Sequence, residues 1–299
     1  MKNKTLTFYT LLVLLIVTQS IFSQTKKDSV SLTKRLVLTT SSIAGLSTAG
    51  FVGLHELWYK DYQTSTFHFF NDSKSWMQMD KIGHFYTANK LSLAFSSAYE
   101  WCGISPEKSA IIGASLGLGF QTTLEVMDGY SSEWGFSWSD MAANTIGSLS
   151  FLSQQLIWQE EKIILKFSYH STKYAAIRPS VLGNTFSERF LKDYNGQTYW
   201  LSYSPHDFIE EIPSWLCVSL GYSIDAKLVG DTDFYTDPTT NNNYTASRQY
   251  LLSLDIDFSK LPIKRPLLKK IIKQFNYLKI PFPALIMQNG GGSFRGIYF

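Results

Sequence analysis

Three pairs of polar residues recur at helical spacing between positions 80 and 144, and these are the residues whose types can do chemistry. Asp80 and His84 are four apart, as are Gln121 and Glu125 and, later, Asp140 and Asn144. A four-residue interval puts both members of a pair on one helix face. Lys81 follows Asp80, Asp128 lies three residues after Glu125, and Glu133 and Gly147 complete the region. His84, Glu125, Asp128 and Asp140 are donor types able to hold a divalent metal that activates water. Without a metal, His84 paired with a carboxylate is a general base. Asp80, Lys81, Gln121 and Asn144 are the candidates for holding a ligand in place.

No cofactor and no particular metal is specified by this set. There is no HExxH, no P-loop, no GxSxG and no dinucleotide fingerprint in the chain. Each residue also has a structural explanation. Asp80 can cap a helix, and Asp140 can be the acidic partner of Ser137 in a capping box. Asp128-Gly129 reads as a turn, Lys81 can pair with a nearby acid, and Asn144 and Gly147 can serve helix packing. A hydrogen-bonded core and a functional site both fit. His55, His68, His170 and His206 lie outside the set and are weaker candidates.

Three helices must carry the cluster. The first is expected over about 80–101, with Gly103 as its stop. Ser105 offers an N-cap and Pro106 a first helical position for the next, which runs to about Asp128. Gly113 and Gly117 within it have GxxxG spacing, which lets another backbone approach closely. The third is expected over about 138–158. Short connections make these helices neighbours, so their polar stripes can converge. Polar groups inside apolar helices are costly and generally face one another or a wet cavity. A fourth helix, over about 32–58, precedes them. It carries no charge from Leu36 to Leu54 and is long enough to span a bilayer, with aromatic and polar residues at its end.

After Glu160 the period changes from helical to alternating. Ile163, Leu165, Phe167 and Tyr169 alternate with more polar residues. The same holds for Val218 to Leu228 and for Leu252 to Phe258, with a polar loop from Gly230 to Ala246 between them, and Ser293–Phe299 reads as a further strand. Five or six strands are too few for a single-chain outer-membrane barrel, which needs at least about eight. Between Lys260 and Lys279 stand seven basic residues and no acidic one. Pro266 opens a helix there whose Leu267, Leu268, Ile271 and Ile272 are apolar, while Lys269, Lys270 and Lys273 supply charge. Such a helix is either an interfacial anchor on anionic lipid or a helix lying on the sheet with a solvated lysine face.

The address comes from the N-terminus. Lys2 and Lys4 precede an apolar stretch from Leu6 to Val17, and Ser23 before Gln24 is a plausible cleavage point, so residues 1–23 read as a signal peptide. No Cys lies near that point, so lipid attachment there is not expected. Cys102 and Cys217 are far apart in sequence and form no metal motif; each is either half of an exported disulfide or a small buried apolar residue. The charged fraction of 17% is low, which leans towards a membrane, and a net charge of +3 gives no support to a nucleic-acid partner.

Asp80-Lys81-Ile82-Gly83-His84-Phe85, then Glu125, then Asp140 to Gly147 resemble the core pattern of the VanZ-like membrane proteins, small helical proteins without an agreed mechanism. The run from Trp58 to Trp158 resembles the uncharacterised YfiM family of predicted periplasmic lipoproteins, whose longer members the segment Tyr194–Leu201 also resembles. These likenesses imply membership without an activity.

The expected fold is therefore α+β. Residues 31–160 are expected to form an N-terminal membrane-associated four-helix bundle. Residues 161–299 are expected to form a strand-rich region: a small antiparallel β-sheet with a basic amphipathic helix. The expected function is that of a membrane-associated protein in the cell envelope of a Gram-negative bacterium, the outer membrane or periplasmic side favoured, with membrane lipid as its partner. It binds a lipid or glycolipid head group. Its alternatives are a metal-dependent or His/carboxylate hydrolase of a lipid-linked or phosphate-bearing envelope molecule, and a structural component of an envelope complex. Whether it is an enzyme is open at this point.

Overall fold

A computed structural model describes residues 31–60 and 62–299; the expected signal peptide lies outside the described residues. The fold is mixed helix and antiparallel sheet, and it divides into two compact units. One takes residues up to Ser73 and Gly83–Glu161; the other takes Lys74–Ile82 and Lys162–Phe299.

In the first unit, helix α1 spans Leu32–Leu54 and runs on through one π-helical turn, His55–Tyr59. Helix α2 spans Met79–Cys102, its first turn belonging to the other unit, while α3 spans Pro106–Gly129 and α4 Trp138–Trp158. By length and composition, α1 and α3 are apolar enough to cross a membrane. The glycines expected to admit a close neighbour do so. A Cβ on Gly113 or Gly117 of α3 would run into Ser92 and its neighbours on α2, whereas Gly119 has open space. Helix α1 is held by its own contacts, Cys102 Sγ to Thr39 Oγ1 at 3.1 Å and Phe51 stacked on Phe120 at 4.4 Å. Two capping expectations are corrected. Asp80 stands inside the first turn of α2, and the Ser105 side chain makes no cap bond, although Pro106 does occupy the first helical position of α3. Ser137 does cap α4, its Oγ accepting the Asp140 N–H at 3.1 Å. Both cysteines are free and buried, so the disulfide option is not realised.

The second unit holds a six-stranded antiparallel sheet. Its strands are β1 (Ile163–Tyr169), β2 (Gln197–Tyr203), β3 (Leu216–Asp225), β6 (Ser247–Ile256), β7 (Phe282–Gln288) and β8 (Gly291–Tyr298), in that spatial order. A separate hairpin, β4 (Phe234–Thr236) with β5 (Asn243–Thr245), lies within the segment expected to be loop. Strand β7 was not expected, since Pro283 interrupts its pattern. The structure accommodates the proline at a register shift between Phe282 and Ala284, where no ladder donor is required of it. The free edge of β1 is bridged by the chain before β7, with Phe167 N–H to Tyr277 O at 3.0 Å and Lys279 N–H to Phe167 O at 2.9 Å. Three short helices also escaped expectation: α5 (Tyr174–Ile177), α6 (Pro179–Leu182) and α7 (Phe186–Lys192). Pieces of four to seven residues show too little of a 3.6 period to be read. Helix α8, Pro266–Lys273, buries none of its residues, so it does not lie on the sheet by its apolar side.

The sheet is polar within and apolar without. Lys166 and Asp255 face inward, fully buried, Nζ to Oδ2 2.9 Å apart. Ser202 Oγ donates to Asp255 Oδ2 at 2.8 Å, and Lys166 Nζ to the Ile256 carbonyl at 2.6 Å. Beside this network Trp200, Leu251, Ala284, Ile286 and Tyr298 form an apolar cluster. The opposite face exposes Leu201, Leu220, Leu252, Leu254, Leu285, Met287 and Phe294. The segment Trp76–Met79 packs with this unit. Met77 and Met79 join Ile224 and Ala246 in a buried cluster.

Candidate functional site

The first unit brings His84 of α2, Gln121 and Glu125 of α3, and Asp140 and Asn144 of α4 together. Two glycines make this possible. Gly117 sets α3 against α2 at Ala88 and Ser92, and Gly147 sets α4 against α2 at the carbonyl of Phe85, the residue after His84. Close backbone approach puts short side chains such as Asn144 within reach of the imidazole.

His84 Nδ1 lies 3.1 Å from Asn144 Oδ1 and 3.3 Å from Glu125 Oε1. Asn144 Oδ1 also accepts the Gln121 amide at 3.0 Å. Asn144 Oδ1 can only accept, so this contact is satisfied when Nδ1 carries the hydrogen. In the neutral ring Nε2 then keeps its lone pair, and it stands 4.0 Å from Asp140 Oδ1. Glu125 Oε2 accepts the backbone N–H of Ser137 at 3.3 Å, which ties the carboxyl to the start of α4. Glu125 is only 1% exposed; burial pushes its carboxyl up to about 8, with the Asp140 and Asp128 carboxylates adding to the rise and His84 and the Ser137 N–H opposing it. His84 itself retains some exposure, its side chain at 18%.

Two buried amide atoms in the cluster have no hydrogen-bond partner among the described residues: Gln121 Oε1, an acceptor, and Asn144 Nδ2, a donor. Leaving such atoms unpaired costs about 1–3 kcal/mol each.

The set proposed for a metal does not assemble as one site. Glu125 approaches Nδ1 while Asp140 lies on the Nε2 side, so one ion cannot use both through the ring. Asp128 Oδ1 accepts the Tyr59 hydroxyl at 2.6 Å. His84 Nε2 and Asp140 share one side of the ring, where a cation could be held, with Glu125 and Asn144 on the Nδ1 side, as outer partners of metal-bound histidines are. Asp80 and Lys81 stand on the first turn of α2, within the other unit. Asp80 accepts from Lys81 Nζ and from the Tyr194 hydroxyl, both at 2.9 Å. Lys269, Lys270 and Lys273 are exposed on α8.

Asp72 was missed. Its Oδ1 accepts from Ser137 Oγ at 2.6 Å and from Ser139 Oγ at 2.8 Å, anchoring the end of α4 that holds Asp140. The only signal for it was a polar Asn71-Asp72-Ser73 run in an irregular segment, which does not announce its partners.

A family model described as "Predicted periplasmic lipoprotein (DUF2279)" matches residues 67–154, the stretch holding the whole cluster. This agrees with the periplasmic-lipoprotein part of the expected resemblance; the model's description names neither the YfiM nor the VanZ-like family. No curated protein and no solved structure matches the chain.

Proposed function

We propose that this chain is a membrane-associated protein of the envelope of a Gram-negative bacterium, whose four long helices form one bundle and whose His84 cluster binds the polar head group of a lipid or glycolipid. The carrying observation is the pair of unpartnered buried atoms, Gln121 Oε1 and Asn144 Nδ2, beside a partly exposed histidine. They offer one acceptor and one donor beside the imidazole. Two carboxyls flank the imidazole, so the cluster favours hydroxyl or ammonium groups over an unaccompanied phosphate. The envelope address is supported by the matching model's description, which speaks of a periplasmic lipoprotein.

The test is lipid analysis of the detergent-purified protein beside Asn144→Leu. One lipid class retained in near-stoichiometric amount by the parent and lost by the variant is the expected result. The same lipid profile in both, with no class enriched, sinks the reading.

A second reading is hydrolysis. A histidine set between the Glu125 and Asp140 carboxyls is an arrangement that a general base uses. A folded His84→Ala variant that hydrolyses envelope lipid esters as fast as the parent removes this reading.

A further inference from the structure

We propose that the outer face of the six-stranded sheet seats in the acyl region of a lipid bilayer, with the basic residues of α8 against anionic head groups. This surface belongs to the second unit and is independent of the His84 cluster.

The polarity of the sheet carries the argument. An antiparallel sheet with one face in water places its apolar residues inward and its polar residues outward. Here the inward face holds the Lys166–Asp255 pair with Ser202 and Ser219, all fully buried. The outward face is apolar along whole rows of the ladder. Leu201 pairs with Leu220, Leu220 with Leu252, Leu252 with Leu285 and Leu285 with Phe294, a row across five strands. On one side of it Tyr250 and Met287 continue the exposed face, while Tyr199 and Tyr222 are packed under Met77 and Met79; on the other run Tyr203, Val218 and Leu254. Leu220 is 60% exposed and Phe294 66%. Polar character returns only with Arg248 opposite Ile224.

The dimensions suit lipid. On β6 the exposed residues Tyr250, Leu252 and Leu254 span four residue steps, about 13 Å at the usual rise. A face of this size can lie against one leaflet of a hydrocarbon core about 30 Å thick.

Charge selects the occupant. Helix α8 lies in the connection between β6 and β7, at the Ile256 end of the rows. The segment Lys260–Lys279 holds seven basic residues and no acidic one; Lys279 is buried against the Leu254 carbonyl, and the other six are not buried. None of the α8 residues is buried, and Leu267 and Ile271 are themselves exposed. Anionic head groups satisfy such a segment. A second copy of this chain would bring an identical positive segment.

The deciding experiment uses the full chain reconstituted in vesicles of phosphatidylcholine and phosphatidylglycerol, with a polarity-sensitive fluorophore on Leu252→Cys. The two native cysteines are buried and escape labelling. Lipids brominated along the acyl chain should quench this label several-fold and leave one on Thr239→Cys, in the β4–β5 loop, unchanged. Lys269→Glu, Lys270→Glu and Lys273→Glu together should lose the dependence of quenching on phosphatidylglycerol. An unquenched Leu252→Cys label overturns the proposal. So does a label already shielded in lipid-free detergent by a second copy or another protein. Leu220→Glu with Leu252→Glu, checked for unchanged circular dichroism, should abolish insertion of the sheet; persistence of quenching at a label on Met287→Cys in that background also overturns it.

Discussion

Gly147 of α4 lies so close to Phe85 of α2 that a Cβ at position 147 would overlap the Phe85 carbonyl oxygen. That approach holds Asn144 against His84, one residue earlier. Gly147→Ala therefore forces the two helices apart and is expected to destabilise the first unit by about 1–3 kcal/mol, the usual cost of overpacking. Gly119→Ala, where nothing lies within 4 Å, should instead stabilise modestly through helix propensity. Thermal unfolding of both variants in one detergent checks this; equal shifts would remove the packing argument.

Glu125 supplies a pH dependence with a definite sign. Its carboxyl is raised in the folded state by burial to about 8, above its ordinary 4.5. The folded state thus binds this proton more tightly than the unfolded chain. The stabilisation is present in full below about pH 4.5 and is lost as pH rises through 8. Glu125→Gln, which mimics the protonated form, should flatten the fall in melting temperature between pH 5 and pH 9. A variant as pH-sensitive as the parent would show that another group titrates.

Inside the sheet, Asp255 neutralises Lys166. Asp255→Asn leaves the ammonium buried without its counter-charge and should cost about 3–5 kcal/mol. Adding Lys166→Met should recover much of that loss, because no charge then remains to be desolvated. Chemical denaturation of the parent and the two variants decides it, and failure of the second change to rescue would mean that the serines, not the ion pair, set the cost.

Ser137 caps α4 and binds Asp72 through the same hydroxyl. Ser137→Ala should cost about 1–2 kcal/mol, within the range for lost caps. Asp72→Ala should overlap with it, so that the double variant loses less than the sum. Strict additivity would separate the two contacts energetically.

The polar pairs at four-residue spacing, the glycines at positions 113 and 117, and the alternating strands after Glu160 were legible in the sequence because each is a local period. Helix α4 was placed at its observed bounds, and the basic run at 260–279 needs only composition. Strand β7 and the β4–β5 hairpin were not legible, since Pro283 and a polar segment mask them and only pairing with neighbours makes them strands. The division of labour among His84, Glu125, Asp128 and Asp140 was not legible either: all four are right donor types, yet that Glu125 and Asp140 meet different ring nitrogens and Asp128 meets the Tyr59 hydroxyl depends on helix rotation and approach, set by contacts remote in sequence. Likewise the alternation of the strands shows that one face is apolar, but not that this face is the exposed one. Period is a property of neighbours along the chain; inside and outside are decided by what packs against them.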